Sequence, residues 1–242
     1  MKTQLFKKVL LIFSLLLVVT SVIHAIAFPQ ETRCILVDLY DFERTDNLYY
    51  RANVDNATIN QLQNLIEQAE VRVADFWGEK TVEPKFIYCD TDEDYLKFGV
   101  PFLTPACANM KLGAYVVISN QGLSLDIIAH ELSHTELYNR IGFFNRLRKI
   151  PTWFDEGLAM QVDWRNYYST DSLKAKTNFE NLPAITQMQN PKQFGSGTRE
   201  KIMLNYSTSK YLVEQWYSKE KLDRFIDRIN DGASFREAYS QK

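Results

Sequence analysis

Histidine is scarce in this chain, with three residues in 242, and two of them lie four apart in one stretch, IIAHELSHTEL (127–137). General enrichment therefore does not explain the pair. Beyond residue 28 there is no third imidazole, so a metal centre there must take a ligand of another type. Cysteine is equally rare: Cys34, Cys89 and Cys107 allow one intramolecular disulfide at most. Cys89 with Cys107 is the expected pair, closing a loop over DTDEDYLKFGVPFLTPA. Runs of lysine or arginine are missing too, which removes the phosphate-binding face that nucleic acid would need. With no internal repeat and no long linker, one domain is expected. Its composition, 45% hydrophobic and 24% charged, is that of an ordinary globular chain.

Long apolar runs occur once. Lys2, Lys7 and Lys8 precede VLLIFSLLLVVTSVI, followed by HAIAF, the pattern of an export signal. Ala25-Ile26-Ala27 fits a cleavage site, whereas Val9 to Phe28 as a helix would span roughly 30 Å, enough for a membrane tether. Residues 1–27 are thus expected to be a signal peptide or an N-terminal membrane anchor, and residues 28–242 a single domain. Either fate leaves the lysines in the cytoplasm and exports the rest, so the expected location is extracytoplasmic: secreted, periplasmic or anchored. Losing the three lysines moves the net charge from -2 to -5. Cys34 does not directly follow the cleavage site, so a lipid-modified cysteine is not expected.

Three stretches read as strands: CILVDLY (34–40), KFIYC (85–89) and GAYVVIS (113–119). Ile59, Leu62, Leu65, Ile66, Ala69, Val73 and Phe76 recur at helical spacing, predicting an amphipathic helix that ends near Gly78. Ser124 is placed to cap a helix running to about Arg140, with Gly142 beyond its end. Leu125, Ile128, Ala129, Leu132 and the stem of Glu136 share the face of that helix opposite His130 and His134. A second helix starts at PTWFDEGLAMQVDW, with Pro151 and Thr152, a candidate N-cap, at its start. Residues 165 to about 200 read as loops and short turns forming one wall of a cleft. NYSTSKYLVEQWYSKEKLDRFIDRIND and ASFREAYSQK read as two or three amphipathic helices.

His130 and His134 fall on one helix face, where both imidazoles can reach one ion at about 2.0–2.1 Å. Glu131 is turned about 100° from His130, so it does not readily share the ion but can reach a water bound to it. Such a water, deprotonated by a neighbouring carboxylate, is the nucleophile amide hydrolysis needs. Random placement at this composition would produce roughly 0.002 copies of HExxH, so chance does not account for the motif. The third ligand is open among Glu136, Asp155, Glu156 and Asp163, with Cys107 and Cys89 less suited. Glu136 turns onto the opposite face from the histidines. Glu156 sits in the first turns of the second helix beside Gly157 and Ala159, small residues that would let it pack closely against the first helix.

HELSH, separated by 21 residues from Glu156 in WFDEGLA, resembles the gluzincin metallopeptidases, particularly the peptidase MA-like group with its HExxH and downstream W-x-x-E-G-x-A helix. The resemblance spans roughly residues 85 to 217. It implies an α+β, zincin-like domain with a small mixed sheet, an HExxH active-site helix and a helical C-terminal part. It also implies Zn2+ held by His130, His134 and Glu156, Glu131 as general base and proton shuttle, and Tyr206 as the oxyanion stabiliser. In related zinc peptidases the strand before the motif helix pairs with extended substrate, which assigns that role to GAYVVIS as an edge strand. The aminopeptidase branch carries a glutamate in this strand, and none is present, so an endopeptidase acting on peptide or protein substrates is expected. Two other readings are weaker. A non-catalytic zinc- or peptide-binding protein has no use for Glu131, and a zinc amidase using Cys107 leaves WFDEGLA unexplained. An intramembrane protease fits poorly with Asp126, Glu131, Glu136 and Arg140 on the motif helix.

Overall fold

The computed structural model describes residues 2–240 and shows a mixed α+β architecture. Gln241 and Lys242, the end of the ASFREAYSQK stretch, lie outside the described residues, as does Met1 of the leader. The chain opens with α1 (Lys2–Ala27) and α2 (Pro29–Ile35), then a 3-10 turn over Val37–Leu39. This corrects the expectation of a strand at 34–40. Pro29, at the first helical position, has a φ already suited to a helix, and only Cys34 and Val37 are fully buried while Leu36 and Leu39 are exposed. Burial three residues apart is a helical rather than an alternating pattern.

Two three-residue strands follow, β1 (Glu43–Thr45) and β2 (Leu48–Tyr50), then α3 (Asn56–Trp77), β3 (Lys85–Cys89), α4 (Asp92–Phe98), β4 (Ala106–Asn109) and β5 (Tyr115–Ser119). Asp55 caps α3 by accepting from the Thr58 N–H at 2.8 Å, and Gly78, at φ +85°, ends it as expected. The strands form one mixed sheet in the order β1-β2-β3-β5-β4. β3 pairs in parallel with both β2 and β5, and the outer pairs are antiparallel. β5 is therefore internal, and the edge strand beside it is β4, with β1 at the far edge. The edge role expected of GAYVVIS belongs to ACAN, whose small residues gave no strand signal.

Alternation along the sheet divides the core. Phe86, Tyr88, Val116 and Ile118 join the cluster under α3 and the motif helix, α5 (Leu125–Ile141). Ile87, Cys89 and Val117 face α2 and α4 with Cys34, Tyr95 and Phe98. All three cysteines are free thiols. The expected Cys89–Cys107 bond is not formed, because β5 pairs with β3 on one side and β4 on the other. Two strand spacings of about 4.8 Å exceed the Cα separation a disulfide spans.

After α5 come α6 (Phe143–Lys149), not anticipated, and α7 (Thr152–Ala159), followed by α8 (Thr170–Thr177), α9 (Pro191–Phe194), α10 (Arg199–Trp216), α11 (Lys219–Asn230) and α12 (Phe235–Tyr239). Three C-terminal helices thus match the expected two or three. Pro151, not Thr152, occupies the N-cap of α7, and no side chain caps it. The free N–H groups of Thr152 and Trp153 instead donate to the carbonyls of Gln189 and Met188, each at 3.0 Å. Gly157 permits a close approach, but to α10 rather than to α5: a Cβ there would lie 2.6 Å from the Ser209 carbonyl oxygen and 2.6 Å from Val213 Cγ2.

Candidate metal centre

The site forms where α5, α7 and α10 meet the edge strand. The i, i+4 spacing on α5 turns both imidazoles to one side, with His130 Nε2 and His134 Nε2 3.2 Å apart. Glu156 on α7 reaches between them, Oε2 lying 3.3 Å from His130 Nε2 and 3.6 Å from His134 Nε2. Four tetrahedral ligands at 2.0–2.1 Å from zinc stand about 3.3 Å from one another. The three donor atoms already have nearly that spacing.

A second observation bears on the fit. Glu156 Oε2 is buried without a hydrogen-bond partner, an arrangement that is costly for a carboxylate unless a cation meets it. Burial opposes ionisation of Glu156, but the two histidines outweigh it and hold its pKa well below the carboxylate range. Burial likewise opposes charge on His134, yet Asp155 and Glu156 raise its pKa well above the usual value. The residues present therefore match a cation bound by two imidazoles and a carboxylate.

Of the other candidate ligands, Asp155 lies behind His134 and accepts from its Nδ1 at 2.9 Å. That contact holds the proton on Nδ1 and leaves Nε2 as the donor atom. Burial works against charge on Asp155, and Arg146 together with His134 more than compensates, keeping it ionised. Asp163 is fully buried in a pair with Arg165, 3.9 Å from His130 Nδ1 and outside the donor triangle. Glu136 is spent elsewhere: it accepts from the Thr81 N–H and hydroxyl and pairs with Arg140 at 3.1 Å. Cys89 and Cys107 are not members of the metal-capable group, which among the described residues is His130, His134 and Glu156.

Glu131 is half-buried and lines the cleft. Burial raises its pKa despite the two neighbouring histidines. Tyr206, on α10, lies with its ring centroid 6.2 Å from that of His130 and packs edge-on against Phe194 at 4.9 Å. The charge of Glu156, then burial, pushes its hydroxyl pKa well above the ordinary value. The structure thus brings all five expected residues together. Arg146 was missed, and α6 has no sequence signal beyond the clustered charges and aromatics of FFNRLRK.

α7 is fastened at both ends. Its first N–H groups bond the 188–189 segment, and beyond its last turn Arg72 of α3 donates to the Val162 carbonyl at 3.1 Å, pairs with Asp126 and stacks on Trp164 at 3.9 Å.

The cleft holds about 390 Å³ and is floored by His130, Glu131, His134 and Glu156, with Phe102, Pro191 and the three residues Ala106–Ala108 along its sides. Pro191 belongs to the wall expected from residues 165–200. The Ser119 N–H donates to the Pro105 carbonyl at 2.9 Å, so in the antiparallel register Cys107 and Asn109 bond β5, and Ala106 and Ala108 turn their N–H and C=O outwards. Thr104 Oγ1 donates to the Ala106 carbonyl. The Ala106 N–H and both polar groups of Ala108 face the open edge.

A family model described as "Protein of unknown function (DUF1570)" matches residues 124–232. The match begins at the residue before α5 and ends beyond α11, so both motif helices and Tyr206 fall inside it. No curated protein matches the chain.

Proposed function

We propose that this chain is a gluzincin-type zinc metallopeptidase with a zincin-like fold, an endopeptidase hydrolysing peptide bonds outside the cytoplasm. The observation that carries the reading is the triangle of His130 Nε2, His134 Nε2 and Glu156 Oε2, with sides of 3.2 to 3.6 Å around an otherwise unpartnered carboxylate oxygen, beside Glu131. When bound there, Zn2+ supplies Lewis-acid polarisation of a scissile carbonyl and a lowered pKa for water.

The remaining work falls to the chain's own groups. An extended substrate pairs with the outward N–H of Ala106 and the N–H and C=O of Ala108, which sets its backbone across the donor triangle. Glu131 takes a proton from the attacking water at its carboxylate and delivers it to the leaving amine nitrogen. Tyr206, a phenol whose proton Glu156 and burial hold more firmly than usual, donates its O–H to the oxygen on which charge develops. Asp155 keeps the proton of His134 on Nδ1, and Arg146 keeps Asp155 in place.

Metal content of the purified protein, measured beside Glu156→Ala and Glu131→Gln, tests the reading. We expect about one zinc per chain in the wild type, loss in Glu156→Ala, and retention in Glu131→Gln with peptide hydrolysis reduced at least about 10²-fold. Full hydrolysis by Glu131→Gln would remove the mechanism. Zinc bound as tightly by Glu156→Ala would remove the ligand set.

A further inference from the structure

α1 contains the one helix among the described residues that is long and apolar enough to cross a membrane, Phe6–Ala27, and none of it is buried against the domain. Its junction with α2 is not a loose tether. α1 and α2 are joined by the single residue Phe28, whose φ of -136° and ψ of 64° break the helix; its N–H donates to the His24 carbonyl at 2.8 Å and its carbonyl accepts from the Thr32 N–H at 3.0 Å, so one helix follows the other with no loop between. His24 Nδ1 and Thr32 Oγ1 share a hydrogen bond of 2.8 Å across the same joint. Ala25-Ile26-Ala27 lies in the last turn of α1, whereas proteases bind their substrates extended.

α2 is then fixed to the domain. Cys34 is fully buried, its Sγ donating to the Phe98 carbonyl at 3.1 Å, and Arg33 Nη1 donates to the Lys97 carbonyl at 2.9 Å. Lys111, in the turn between β4 and β5, pairs with Glu31 and lies 4.2 Å above the Phe28 ring. Beside these contacts Leu112 is 59% exposed and Phe28 40%, apolar surface suited to the boundary of a bilayer. The end of the substrate edge strand therefore abuts the base of the apolar helix. Ala108, at the cleft, is three residues from Lys111, no more than about 11 Å of chain.

We propose that α1 is retained as a membrane anchor and that the cleft acts on polypeptide held close to the same bilayer, the juxtamembrane segments of membrane-attached proteins. This substrate class rests on the peptidase reading above. A chain leaving the membrane beside α1 reaches Ala108 within a few extended residues, and confinement to one bilayer raises the effective concentration of substrate at the cleft.

The test uses the full-length, zinc-loaded protein. Its N-terminus is sequenced from membranes, and it is then reconstituted into phosphatidylcholine vesicles. A peptide selected from a library as cleaved by the full-length protein in detergent is presented in three forms: free, fused about 5–10 residues outside a transmembrane helix, and fused about 30 residues outside the same helix. We expect an intact N-terminus and at least tenfold faster cleavage of the near fusion than of the far fusion or the free peptide, with Glu131→Gln as background. A mature chain beginning at Phe28, or equal rates for near and far fusions, overturns the membrane proposal and leaves the peptidase reading standing. An intact N-terminus with no library peptide cleaved by zinc-loaded protein overturns the peptidase reading, and the proposed substrate class with it.

Discussion

Gly157→Ala tests the link between the helix that carries Glu156 and the helix that carries Tyr206. The added Cβ would meet the Ser209 carbonyl oxygen and Val213 Cγ2 at 2.6 Å, about 0.8 Å inside ordinary contact. Ser209 offers backbone, so no rotamer change relieves that side, and α10 must move away from α7. Overpacking of this kind costs about 1–3 kcal/mol, offset by about 1 kcal/mol of helix propensity gained on replacing glycine. The net loss is about 0–2 kcal/mol, and the protein should remain folded. The donor triangle, built on α5 and α7, should keep its zinc, whereas Tyr206 moves outward with α10. A displacement approaching 1 Å at a catalytic group costs on the order of 10² in rate. The assay is kcat on a cleaved peptide beside zinc content and thermal midpoint, with Val213→Ala added to relieve half of the clash. A variant with wild-type kcat and higher stability would refute the reasoning, because it would show that the α7–α10 contact does not position Tyr206.

Asp155→Asn should weaken zinc binding by about 10–100-fold, because His134 Nδ1 loses its ionised acceptor and Arg146 its partner; unchanged affinity in chelator competition would show that the contact does not orient the ligand. Glu136→Ala should lower stability by about 3 kcal/mol through the lost bonds to Thr81 and the lost partner of Arg140, which keeps its bond to the Glu79 carbonyl, with zinc content unchanged; loss of zinc without destabilisation would place Glu136 in the metal site. Without reductant, denatured protein should release three reactive thiols. In the native state Cys34, pushed up to about 12 by burial, stays protonated through pH 8 and should label slowly. Fewer than three thiols after denaturation would reinstate a disulfide.

Features governed by local chemistry were legible in the sequence. The apolar period of α3, its end at Gly78 and the HELSH spacing depend on neighbours a few residues apart. The small residues beside Glu156 signal a close helix approach and the WFDEGLA resemblance singles that residue out, but Gly157 meets α10 rather than α5. Legibility failed where tertiary partners decide. Cys34 to Tyr40 carries the β-branched and apolar content of a strand, and only Pro29 and the burial of Cys34 and Val37 against α4 make it helical. Ala106–Asn109 has no strand propensity of its own and is ordered by pairing with β5. Arg146 gains its role from Asp155, whose position depends on two helices meeting.

The two fastenings of α7, at Met188–Gln189 and at Arg72, have a consequence for metal exchange. They keep the Glu156 carboxylate at its station through protein contacts alone, so the donors do not have to be gathered by the ion. Loading the site should then proceed with little change in heat capacity or amide-exchange protection, and its rate should follow shedding of the ion's hydration shell rather than folding of the chain. The proposed centre should therefore lose its ion to a chelator and take it back with the surrounding structure unchanged.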